Sequence, residues 1–71
     1  MAISDQVRRG IKLACIKENT TITRAAKDSG VPRSSIYRYM SGSTDIYITK
    51  MDRFCRLGLG RTLAEVMELG K

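Results

Sequence analysis

The chain is 71 residues long, with 13 Lys and Arg against 7 Asp and Glu, a net charge of +6, and no histidine. A chain of this size forms one domain, residues 1–71, and buries only about 60% of the surface its unfolded form exposes, which excludes a deep cleft between lobes. Without histidine there is no Ser-His-Asp triad, no Cys-His dyad and no imidazole metal ligand, so neither an enzyme nor a metal or cofactor is expected.

The 42% hydrophobic content is that of a globular domain, and the positive charge makes a polyanion the first partner to consider. Cys15 and Cys55 fit no CxxC spacing and lie among apolar residues, where free cysteine behaves as a small hydrophobe. No run approaches the ~18 apolar residues of a membrane span. Residues 1–19 mix charge into their apolar positions, unlike a signal peptide. A cytoplasmic protein is expected, with no membrane contact and no small-molecule ligand.

Taken in chain order, Ile3, Val7, Ile11, Ala14 and Cys15 recur at helical spacing, with Arg8, Arg9, Lys12 and Lys17 on the other faces. This predicts a first helix, capped by Ser4 and ended by Asn19 and the threonines that follow. Gly10 costs that helix about 1 kcal/mol relative to alanine, unless it admits a close neighbour. Thr20 and Thr21 are capping residues for a second helix, whose Ile22, Ala25, Ala26 and Ser29 share one small-residue face. Gly30 suits a left-handed helix terminus.

Pro32 is read as the first residue of a third helix, PRSSIYRYMSG, because the missing proline N–H has no partner at that position anyway. Ile36, Tyr39 and Met40 then face inward, and Arg33, Ser34, Ser35, Tyr37 and Arg38 face outward with no acidic residue among them. Ser43 to Ile48 is read as an extended loop that pins Ile46 and Ile48 into the core, since no partner strand is available. Thr49 with Asp52 is read as the start of a fourth helix, with Met51, Phe54, Cys55 and Leu57 inward and Gly58 and Gly60 breaking it. Thr62 and Glu65 form a capping-box pattern. They open a last helix with Leu63, Val66 and Met67 on one face and Leu69 close by.

Two short helices joined by a tight glycine turn, the first lined with small residues and the second basic outside, match the helix-turn-helix layout. In that layout the second helix enters a major groove about 12 Å wide while the first braces it across the phosphate backbone. Residues 21–42, TITRAAKDSGVPRSSIYRYMSG, resemble the helix-turn-helix of the lambda Cro and phage-repressor family. The matching positions are Thr21, Ala26, Gly30-Val31, Ser34-Ser35, Ile36 and Gly42. Downstream, LGLGRTLAEVMEL is similar to the family's closing Leu-Gly and capped final helix. Ile22 stands where the family usually carries Gln, and is assigned to the core.

The resemblance implies an all-α, compact bundle of about five short helices, lambda-repressor-like. It implies a sequence-specific regulator of transcription that binds double-stranded DNA, a phage or bacterial repressor acting by operator occupancy. Carried over residue by residue, it makes Arg33, Ser34, Ser35, Tyr37 and Arg38 base contacts. An arginine held bidentate on guanine is worth about 1–3 kcal/mol of discrimination, and Arg33 is the first choice for it. Thr21, Thr23, Arg24, Ser43 and Thr44 become phosphate contacts.

Such a small module reads two half-sites roughly 34 Å apart as a homodimer. Leu63, Val66, Met67 and Leu69 are the dimer candidates, or else they close the monomer's own core. Arg53, Arg56 and Arg61 form either a second phosphate-contacting patch or ordinary solvated helix faces. Residues 1–61 carry 12 basic and 5 acidic side chains, and residues 62–71 carry 1 and 2, so the positive charge belongs to the body around the motif. The alternative expectation is a protein-interaction module that binds a partner repressor, an integrase or a toxin.

Overall fold

The hydrophobic spacing resolves into five α-helices: α1 (Ile3–Lys17), α2 (Ile22–Ser29), α3 (Arg33–Ser41), α4 (Ile48–Arg53) and α5 (Leu63–Leu69). A six-residue π-helical segment, Phe54–Leu59, continues α4 without a break. The structure is a computed structural model that describes residues 3–71, without the side chain of Ile3. The expectation that Ile3 joins the core therefore lies outside the described residues. Among the described residues there is no strand, and the protein is all-helical. No described helix is long and apolar enough to cross a membrane.

Val7, Ile11, Ala14 and Cys15 form the buried stripe of α1. Ser4 lies inside this helix rather than capping it, and Asp5 supplies the carboxylate that suits the positive end of the helix dipole. The helix closes at Asn19, which takes φ 52°, a left-handed conformation that asparagine tolerates better than most residues. Gly10 is where α5 crosses α1. A Cβ placed there would lie 2.8 Å from the Val66 carbonyl carbon and 3.0 Å from its Cγ1, so the absent side chain is what permits the crossing.

Thr21 caps α2, its hydroxyl accepting a hydrogen bond from the Arg24 N–H at 3.2 Å. Ala25 and Ala26 are fully buried, as close packing against neighbours requires. Ser29 is buried too, and its hydroxyl is satisfied within the turn: it donates to the Ala26 carbonyl at 3.0 Å and accepts from the Val31 N–H at 3.4 Å. Gly30 takes φ 73°, a conformation that costs glycine little and penalises any residue with a Cβ. Helix α3 begins one residue later than expected. Pro32 sits at its N-cap, where its carbonyl accepts from the Ser35 and Ile36 N–H groups.

The loop after α3 departs from expectation. Ile46 is half-buried against the core, but Ile48 is 71% exposed. The reason is the start of α4, which begins at Ile48 with Tyr47 as its N-cap. Thr49 is consequently inside the helix and caps nothing. Met51, Phe54 and Cys55 are buried as expected, and a fully buried Phe54 contributes about 1.5–3 kcal/mol.

The π segment changes what comes next. Gly58 does not end the helix but lies within the wide turn, its bare face against the Ala25 carbonyl of α2. In this wider turn, closed by the Gly60 N–H on the Cys55 carbonyl, Leu59 is buried at 2% exposed, while Leu57 is 60% exposed. The inward assignment of Leu57 is thus corrected to Leu59. Gly60 ends the segment at φ 69°. The Thr62–Glu65 capping box is complete. The Thr62 hydroxyl accepts from the Glu65 N–H at 3.1 Å, and the Thr62 N–H donates to the Glu65 carboxylate at 3.2 Å. These bonds to Thr62 hold the Glu65 carboxyl below the usual carboxylate range.

Candidate nucleic-acid interface

The outward face of α3 is built by burying its opposite face. Ile36 is 0% exposed and Tyr39 5%, which leaves Arg33, Ser34, Tyr37 and Arg38 exposed and Ser35 half-buried. No carboxylate lies on α3 itself. The helix is anchored to the body near its C-terminal end by Arg8 of α1. The Arg8 guanidinium stacks 4.6 Å from the centre of the Tyr39 ring, donates to the Tyr39 carbonyl at 2.7 Å and pairs with Asp5 at 3.1 Å. The sequence places Arg8 only off the apolar stripe of α1. Its interaction across the fold is invisible until α1 and α3 are placed side by side.

The predicted contact residues fall into separate groups. Tyr37 of α3 and Thr23 of α2 meet through their hydroxyls at 2.7 Å. Ser35, Arg38 and Thr44 come together along an open groove of about 400 Å³ that also contains Asp45, Ile46, Tyr47 and Lys50. Tyr47, 76% exposed, and Lys50 were not singled out from the sequence. An exposed aromatic followed within one turn by a lysine was the available signal, hidden by the expectation that this loop serves the core. Ser43 is hydrogen-bonded to the Ser41 hydroxyl at 2.8 Å, and Thr44 donates to the Asp45 carbonyl at 3.0 Å, so both loop hydroxyls already have local partners.

Thr21 and Arg24 lie at the start of α2, away from that groove. Arg24 lines a second depression of about 470 Å³ between α2, the end of α1 and the π segment, in which Glu18 and Asp28 bring negative charge. The further basic patch does not form as one unit. Arg61 pairs with Glu18 at 3.0 Å and is largely covered, whereas Arg56 pairs with Asp52 at 3.3 Å. Arg53 is exposed.

Of the four C-terminal contact candidates, Val66 is completely buried where α5 crosses Gly10, so it belongs to the monomer's core and leaves the contact surface. Leu63, Met67 and Leu69 are half-buried against that core. Leu63 and Met67 also line an apolar groove of about 360 Å³ with Val7, Ile46, Ile48 and Met51. No family model, curated protein or solved structure matches this chain.

Proposed function

We propose that this protein binds double-stranded DNA in a sequence-specific manner and represses transcription by occupying an operator. The α2–turn–α3 unit is read as a helix-turn-helix, within a domain read as lambda-repressor-like, with α3 as the recognition helix. The observation that carries this is the exposed α3 face. It offers two guanidinium groups, hydroxyls and no carboxylate, on a helix packed beside α2 and tied to α1 by Arg8. Arg33 at the helix start is assigned to guanine, since a guanidinium matches the O6 and N7 acceptors in two parallel bonds. Ser34, Ser35 and Arg38 contact neighbouring bases, while Thr21, Thr23, Arg24, Ser43 and Thr44 bind backbone.

Two copies are needed to read a site of useful length. As a homodimer it would read two half-sites in adjacent major grooves, roughly 34 Å apart. The apolar groove containing Leu63 and Met67 supports such pairing.

The test is selection of bound sites from a random duplex pool. A palindromic consensus is expected, lost in Arg33→Ala/Arg38→Ala while the protein stays helical. Unchanged binding by that double variant refutes the recognition-helix assignment. If the unaltered protein binds no duplex even at low salt, the apolar groove becomes the leading feature and the reading shifts to a module that binds another protein.

A further inference from the structure

Tyr37 stands on the outward face of α3, and its side chain is 47% exposed, which would suit a base contact. Its hydroxyl, however, is not directed along the free surface of α3. It lies 2.7 Å from the hydroxyl of Thr23, in the first turn of α2, and this is the one side-chain hydrogen bond that joins α2 to α3 among the described residues. The phenol ring therefore bridges the two helices, and its polar end sits above α2.

The chemistry of a paired hydroxyl restricts what it binds. Each O–H has one proton and two lone pairs. Whichever of the two donates within the pair, the other keeps a proton available to a further acceptor. The pair thus presents one donor, strengthened because its oxygen already accepts a hydrogen bond. A single available donor fits an acceptor such as a phosphate oxygen. Thr21, Thr23 and Tyr37 are all exposed, and no carboxylate lies in the first turn of α2 to repel an anion there.

The geometry points to Tyr37 as a positioning residue: with Thr23 it forms one two-hydroxyl clasp that binds a single DNA phosphate and sets the register of α3 against the backbone. Tyr37 then reads no base. This inference rests on the DNA-binding reading above and moves Tyr37 out of the base contacts that the family resemblance implies. A clasp across the α2–α3 junction ties the backbone contact to the angle of the recognition helix, so the phosphate and the base edges are engaged together.

The test compares Tyr37→Phe, Thr23→Val, the double variant and Thr23→Ser on a random-sequence duplex pool, over a range of salt concentrations. Loss of a hydrogen bond to a charged group lowers affinity about tenfold or more. Both single variants are expected to show that loss, the double variant no more than either single one, and Thr23→Ser wild-type affinity. The selected consensus stays unchanged. The clasp carries no charge and releases no counterion, so the salt slope also stays unchanged, whereas Arg24→Ala lowers it by about 0.9. Additive losses in the double variant, a changed base at one position in Tyr37→Phe, or wild-type affinity in both single variants overturns the clasp while leaving the DNA-binding reading intact. Failure of the wild-type protein to bind any duplex overturns both.

Discussion

Replacing Gly10 with alanine separates two physical effects of opposite sign. Gly10 lies in the middle of α1, where alanine gains about 1 kcal/mol of helix propensity. The added methyl, however, would lie 2.8 Å from the Val66 carbonyl carbon and closer still to its oxygen. Ordinary contact begins near 3.4 Å, so α5 must retreat by about 0.6 Å or more, which loosens the contacts of a fully buried Val66. The obstacle is backbone rather than the end of a flexible side chain, and overpacking of this kind costs about 1–3 kcal/mol or more.

The clash outweighs the propensity gain, and a net loss of about 2 kcal/mol is expected from a domain whose total stability is of order 4–10 kcal/mol. For this chain length that lowers the melting temperature by roughly 8–16 °C, measured by circular dichroism at 222 nm. Gly30→Ala is the control. Nothing lies within 4 Å of its added Cβ, and only the left-handed backbone opposes it, at a cost of about 1–2 kcal/mol. A Gly10→Ala protein that melts at or above wild type refutes the α1–α5 crossing described here.

Thr62→Ala removes the cap of α5 and is expected to cost about 1 kcal/mol, read from urea unfolding; no loss would show that α5 is held by packing alone. The Cys55 thiol is pushed up to about 12, first by burial and then by the nearby Asp52 carboxylate. Its folded value exceeds its unfolded one, so its contribution to stability is intact below the unfolded thiol range and is lost as pH rises from about 9 towards 12. The unfolding midpoint is expected to fall across that window, and to fall less steeply in Cys55→Ala; identical slopes exclude this contribution.

The helices were legible wherever local chemistry and burial agree. Thr21, Gly30, Asn19 and the Thr62–Glu65 pair act through bonds to residues three or four positions away, and the apolar stripes of α1 and α3 follow one helical period. The readings that failed concern helix starts, at Ser4, Pro32 and Thr49, and side chains whose direction follows from those starts or from a distant neighbour. Ile48 looked like a core residue until the start of α4 turned it outward. Leu57 and Leu59 exchanged roles because Gly58, pressed against Ala25, allows a π turn that no local pattern announces. At the candidate interface, the outward set on α3 was readable from the periodicity. The involvement of Lys50 and Tyr47, and the reach of Thr23 to Tyr37, depend on how the α2–α3 pair and the α4 loop are juxtaposed.

The amino-acid order by itself determined an all-helical chain, the ends of most helices, and the concentration of positive charge before residue 62, because these follow from backbone hydrogen bonding, periodicity and counting. Only the tertiary structure decided which of those charges are free. Arg8 is spent on Tyr39 and Arg61 on Glu18, while Arg33 and Arg38 stay exposed. The physical reason is that a cation's role depends on what lies within about 4 Å of it, and those neighbours come from elements 31 and 43 residues away in the chain.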